Sequence, residues 1–217
     1  MANIQSLPLL LKELRLTAIA KSWADLAEKS VKEAWEPAQF LAELCELETN
    51  HRYENRLKRL LKESQLPTGK QLSQYDFAEI KGATALQLQQ KTTQLDWLKQ
   101  GHNLILFGAS GLGKTHLAAA VGHALIAQSK RVKFTSSTAL VQQLQKAREA
   151  LSLDEALKRL DKYELLILDD IGYVKKSDSE SQVLFELIAH RYERNSLLIT
   201  TNQALSIINI LRCRRRG

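Results

Sequence analysis

Gly108-Ala109-Ser110-Gly111-Leu112-Gly113-Lys114-Thr115 satisfies G-x-x-x-x-G-K-[ST] at every constrained position. The chemistry permitted by this spacing is capture of a polyphosphate. Glycines let a backbone fold closely about phosphate groups with its N–H donors turned inward, and the start of a following helix adds positive potential. Lys114 is placed to reach the β- and γ-phosphates, and the Thr115 hydroxyl to ligate Mg²⁺. His116 closes the run of residues next to the nucleotide and suits capping or packing there rather than catalysis. The bland alternative is a Gly-rich turn without a ligand. Its flanks argue otherwise, because Asn103–Phe107 reads as a buried strand and His116–Gln128 as a helix. The stretch reads as a nucleoside triphosphate site.

Two other strand ends carry chemistry. Leu165-Leu-Ile-Leu-Asp169-Asp170 is an apolar run ending in adjacent carboxylates, and ligands of parallel sheets bind at the carboxyl ends of the strands. Successive strand side chains point apart, so the two carboxylates should differ in role. Asp169 suits the Mg²⁺ shell, and Asp170 suits orienting and deprotonating an attacking water. The bland reading is a strand running into an acidic turn. Leu197-Leu-Ile-Thr-Thr-Asn202 likewise ends on a polar side chain with both a donor and an acceptor. Asn202 fits a hydrolytic water or a γ-phosphate, or else a plain turn. Arg191 and Arg194 end the preceding helix, where either a neighbouring subunit's γ-phosphate or simple helix-end electrostatics would account for them.

These side chains need a scaffold. From Asn103 onward short apolar strands (Leu104–Phe107, Val132–Thr135, Leu165–Asp169, Leu197–Thr200) alternate with helices (His116–Gln128, Ala139–Glu149, Leu153–Lys162, Ser179–Glu193), the last opened by a Ser177-x-x-Glu180 capping box. Alternation of this kind predicts βαβ units and a parallel sheet covered on both faces. Upstream, Ile4, Leu7, Leu11, Leu14 and Ala18 recur at helical spacing over residues 4–28, and a second helix is expected from Pro37 to about Ser64. Its apolar positions Phe40, Leu44, Leu47, Leu57, Leu60 and Leu61 suit packing against the first. Arg52, Arg56 and Arg59 form a stripe along it, near Lys58 and Lys62. The stripe fits DNA phosphates or a solvated face in which Glu48 pairs with Arg52 at i, i+4. Leu66-Pro67-Thr68-Gly69 marks a boundary. Tyr75-Asp76-Phe77 would flank a base or seal the joint, and a helix over Ala83–Gln100 is closed by Gly101.

Bulk properties narrow the class. The 217 residues suffice for one core and a smaller module, and no apolar run approaches the roughly 20 residues of a membrane span. No membrane association is therefore expected; Cys45 and Cys213 show no metal or disulfide spacing, and the cytoplasm is the default location. The net charge of +7 arises wholly after residue 66, and Arg212, Arg214, Arg215 and Arg216 supply four of those charges. A nucleic-acid partner is permitted by this balance but not demanded.

Gly108–Leu117 (GASGLGKTHL), Leu165–Val174 (LLILDDIGYV) and Phe185–Asn202 (FELIAHRYERNSLLITTN) together resemble the IstB-type helper ATPases of insertion-sequence transposition, relatives of the DnaC helicase loaders within the AAA+ class. The likeness covers roughly residues 5–203. It implies a five-stranded sheet in which the phosphate-loop strand lies beside the Asn202 strand, itself beside the Asp169 strand. That order would gather Lys114, Asp170 and Asn202 round one γ-phosphate. It further implies ATP and Mg²⁺ as cofactors, homo-oligomers on double-stranded DNA with ATP, and engagement of the transposase encoded by the same element.

The expected organisation is an α/β P-loop NTPase of AAA+ type preceded by a small all-helical domain. Residues 1–66 form the helical DNA- or partner-binding domain, 67–102 a linker and helix, and 103–217 the ATPase core. After Gln203 the sequence departs from the family pattern, so that core is expected to lack its usual C-terminal helix and strand, leaving the phosphate-loop strand as an edge. The function expected is ATP hydrolysis in support of transposition. The alternatives are a DnaC-type helicase loader and a truncated remnant that binds ATP without efficient hydrolysis.

Overall fold

The computed structural model describes residues 4–75, 85–171 and 178–202. The chain forms two compact units, Met1–Arg59 and Leu60–Gly217.

In the first unit a 3-10 turn (Ile4–Ser6) leads into α1 (Leu7–Glu13), α2 (Thr17–Lys32) and α3 (Pro37–Ser64), which runs on past Arg59. The single helix expected over residues 4–28 is therefore broken. Arg15 adopts a left-handed φ of 56°, and its N–H and that of Leu16 return to the carbonyls of Lys12 and Leu11 at 3.0 and 2.8 Å. This doubly bonded closure ends α1. Side chains of α3 brace the break. The buried Glu48 carboxylate accepts the Ala18 N–H at 2.8 Å and the Ile19 N–H at 3.3 Å, filling donors that the start of α2 leaves open. Arg52, whose Nε–H bonds Glu48 at 2.9 Å, donates from Nη2 to the Arg15 carbonyl at 3.1 Å. One i, i+4 pair thus grips the joint on both sides. Leu11, Ile19 and Leu44 form the small core there, whereas Ile4 and Leu14 stay exposed at 75% and 65%.

In the second unit the helix expected over residues 83–100 divides into α4 (Ala85–Thr93) and α5 (Asp96–Lys99). The carbonyls freed at the end of α4 are taken by side chains, the Trp97 indole N–H binding Lys91 O at 2.7 Å and the Gln128 amide binding Thr92 O. Gly101 closes α5 as expected. It has a φ of 64°, and its N–H and that of His102 return to Leu98 and Trp97 at 3.1 and 2.8 Å.

Beyond it, β1 (Leu104–Phe107), α6 (Lys114–Ala127), β2 (Val132–Ser136), α7 (Ser137–Glu149), α8 (Leu153–Leu160), β3 (Leu165–Asp169), α9 (Asp178–Arg191) and β4 (Ser196–Thr201) alternate. All pairings are parallel, in the order β1-β4-β3-β2. The order of β1, β4 and β3 is the one implied by the family resemblance. Four strands lie among the described residues, with β1 at one edge, while residues 203–217 lie outside them, as does Ser177 of the expected capping box. α6 packs on the sheet. The Cδ1 of Ile167 would lie 3.1 Å from a Cβ placed on Gly122 of α6. Leu166, Leu168, Leu197 and Ile199 instead join α7, α8 and α9 in the main core. Leu165 to Leu168 are all fully buried. Each such side chain contributes about 1.5–3 kcal/mol, and a one-residue slip would exchange the two faces. The register at the strand ends is therefore enforced by the core.

Arg191 is 1% exposed and donates to the carbonyls of Leu160, Tyr163 and Ser196 at 2.8–3.1 Å. Burial draws its pKa down to about 10, against the pull of Asp161. Its guanidinium ties the ends of α8 and α9 to β4. The option that Arg191 reaches a neighbour's γ-phosphate is overturned by this burial, whereas Arg194 remains exposed.

Burial alone would raise the pKa of Glu48, but hydrogen bonds from Arg52, Ala18 and Ile19 outweigh it and hold it below the usual glutamate value. A carboxylate with a depressed folded pKa contributes stability above its unfolded pKa and loses it as pH falls through the folded one. Glu48→Ala should cost about 1–3 kcal/mol, speed amide exchange at Ala18 and Ile19, and flatten the acid limb of a pH–stability curve. Wild-type exchange rates at those two amides in the variant would contradict the capping role.

Candidate functional site

The sequence predicts that the phosphate loop leaves a strand and enters a helix, and it does so between β1 and α6. Gly113 stands immediately before α6 with a φ of 73°, a region that side-chain-bearing residues rarely occupy. The Lys114 ammonium donates to the Ala109 carbonyl at 2.8 Å, so it lies across the loop from its own backbone. Gly108, Ala109, Ser110, Gly111 and Leu112 form the loop between, and the Gly108 N–H bonds the Thr201 carbonyl at 3.2 Å, fastening it to β4.

Thr115 and Asp169, separated by 54 positions, meet directly. The Thr115 hydroxyl lies 3.0 Å from each Asp169 carboxylate oxygen. The alternation of β3 explains this, since Asp169 shares the parity of Ile167, whose side chain approaches α6. A hydroxyl and a carboxylate are the hard oxygen ligands that Mg²⁺ takes, one or two from the protein with phosphate and water completing the shell. Among the described residues no group of three or more His, Cys, Asp or Glu side chains could hold a metal alone. The donor set fits the ion.

Asp170 follows the strand end with its side chain exposed and a φ of 61°. Left-handed backbone at a non-glycine residue costs energy and persists only where neighbours hold it. Here the Asp170 N–H donates to the Thr200 hydroxyl at 2.8 Å and its carbonyl accepts from the Ser137 hydroxyl at 2.7 Å. The next amide, of Ile171, bonds Thr200 O at 2.9 Å. The Thr200 hydroxyl in turn donates to Asp169 at 2.6 Å. One β4 hydroxyl therefore orients both acidic residues. Thr200 and Ser137 were not singled out by sequence reasoning. Thr200 was visible only as a polar residue ending an apolar strand, and its role needs the β3–β4 register.

Asn202 is exposed and follows Thr201, which pairs with Phe107 immediately before the loop. The sheet thus brings the beginning of the loop, Asp169 and Asn202 to the carboxyl ends of three adjacent strands. His116 packs as expected, its Nε2 lying 3.2 Å from the Gln71 carbonyl.

In the first unit, Arg52, Arg56 and Arg59 share a recess of about 220 Å³ with Arg15, His51 and Asn55. The expected Glu48–Arg52 pair is present at 2.9 Å, so Arg52 already has a structural task.

The profile of the IstB-like ATP binding proteins matches residues 9–209. The chain belongs to the family of IstB-like ATP binding proteins. Within it, a putative insertion sequence ATP-binding protein of Sinorhizobium fredii is 46% identical over 197 residues, which are 91% of this chain and 66% of the relative. The IS21 putative ATP-binding protein of Pseudomonas aeruginosa is 30% identical over 94% of this chain and 76% of its own length. The chain thus spans just under two thirds of the first relative. Among solved structures, the DnaC helicase loader superposes with a TM-score of 0.56 at 26% identity, over 66% of this chain and 84% of DnaC. The fold is that of a P-loop ATPase of the AAA+ type, preceded by helices.

Thr200→Val keeps the shape and removes the hydroxyl. It should lower stability by about 1–3 kcal/mol and shift Mg²⁺-dependent ATP turnover to higher Mg²⁺ concentration, while Thr200→Ser retains wild-type behaviour. Equal Mg²⁺ titrations for the Val variant and wild type would remove the bridge from the site.

Proposed function

We propose that this chain binds ATP with Mg²⁺ at Gly108–His116 and hydrolyses it, serving DNA transposition as a helper that assembles on double-stranded DNA and engages a transposase. The observation that carries the reading is the approach of Thr115 to Asp169 with Asp170 held beside it. A cradle alone binds, whereas a cradle facing ordered carboxylates can turn over.

In this mechanism the loop N–H groups and Lys114 hold the phosphates, Lys114 exchanging the Ala109 carbonyl for phosphate oxygens. Thr115 and Asp169 would hold Mg²⁺, which when bound neutralises charge developing on the transferred phosphoryl group. Asp170 takes the proton of the attacking water, and Asn202 orients that water or the γ-phosphate. The role in transposition is supported by the insertion-sequence relatives. Arg56 and Arg59, with Arg52 beside them, are the proposed contacts to DNA phosphates. The likeness to the DnaC helicase loader favours a second reading in which the partner is a replicative helicase. Recovery of a hexameric helicase rather than a transposase on affinity capture would select it.

Lys114→Ala should weaken ATP binding by tenfold or more, about 1.4 kcal/mol or greater. Asp170→Asn should preserve ATP affinity and lower turnover by about 10²–10⁴-fold. Full turnover in Asp170→Asn would mean that the water is activated elsewhere. Replacing Arg56 and Arg59 by Ala should weaken duplex binding across sequences and reduce the slope of log K against log salt by about one per lost phosphate contact. An unchanged slope would place the DNA surface elsewhere.

A further inference from the structure

Tyr75 opens the aromatic stretch that the sequence leaves undecided, and it lies on the phosphate loop. Its hydroxyl donates to the Leu112 carbonyl at 2.7 Å. Its ring occupies the space beside Gly113, where an added Cβ would sit 2.6 Å from Tyr75 Cε2. The same ring meets the His116 imidazole edge-on, with centroids 5.3 Å apart and planes at 83°. Since His116 also reaches the Gln71 carbonyl, the segment Gln71–Tyr75 is strapped to both ends of the Leu112–His116 turn.

The strap acts on a peptide that matters to a phosphate. In a trans peptide the carbonyl and the following N–H point in opposite directions, and no cis peptide occurs among the described residues. Holding the Leu112 carbonyl therefore fixes the direction of the Gly113 N–H. A hydrogen bond accepted by the carbonyl also polarises the N–H across the same amide. In anion-binding nests such N–H groups line the concave side. Glycine's backbone freedom would otherwise let this peptide rotate.

We propose that Tyr75 is a positioning residue for the phosphate loop, its hydroxyl aiming the Gly113 N–H at a bound phosphate. The proposal rests on the reading of this loop as the ATP site. It requires a phosphate, not a base, to register the hydroxyl.

The test compares wild type, Tyr75→Phe and Tyr75→Leu in the full chain, titrated calorimetrically with ATP, ADP and inorganic tripolyphosphate. Loss of one such hydrogen bond should weaken all three ligands roughly three- to tenfold in Tyr75→Phe. KM for ATP should rise by a similar factor while kcat changes less, and amide exchange at Gly113 should quicken without ligand. Wild-type tripolyphosphate affinity and Gly113 exchange in Tyr75→Phe would overturn the proposal. So would a pattern in which only Tyr75→Leu loses affinity, and only for ATP and ADP, since that describes a ring stacked on the base. If wild type itself bound none of the ligands, the ATP reading would fail first. Wild-type binding that Lys114→Ala abolishes leaves the strap alone under test.

Discussion

The hydroxyl of Thr200 is the point through which the carboxyl edge of the sheet is organised. It accepts one hydrogen bond from the Asp170 backbone and gives one to the Asp169 carboxylate. It can do both because β4 lies beside β3 in parallel register. That register is held by buried leucines and isoleucines on both faces of β3 and β4, where a slip would carry a carboxylate into the core. Apolar packing within the sheet thereby sets the relations among polar groups at its carboxyl edge.

The strands and the loop were legible because each is a local pattern. The four strands expected from apolar runs occur within one residue of their expected limits, and the phosphate loop follows from its own spacing. The meeting of Thr115 and Asp169 was legible as chemistry, since each motif names its ligand, although 54 positions separate them. What escaped was set by partners distant in sequence. The break between α1 and α2 is braced by Glu48 and Arg52, which no window over residues 4–28 contains. Arg191 resembles a helix-end charge until three carbonyls from other elements close round it.

Arg191 and Glu48 make a common point about buried charge in this chain. Each satisfies backbone groups at the ends of helices or strands: a carboxylate for N–H donors, a guanidinium for carbonyls. Charge-assisted bonds to backbone are stronger than neutral ones; at Glu48 they outweigh the cost of burial, whereas burial still draws the Arg191 pKa down. Ordinary hydrophobicity patterns are blind to such residues. They appear as polar interruptions in sequence and as keystones in the fold.

The backbone at Asp170 bears on which amino acids can occupy that position at all. With a φ of 61°, the site admits glycine freely and asparagine or aspartate with modest strain, and it penalises β-branched or bulky residues. Aspartate combines that conformational tolerance with a carboxylate able to accept a proton, which neither glycine nor asparagine offers.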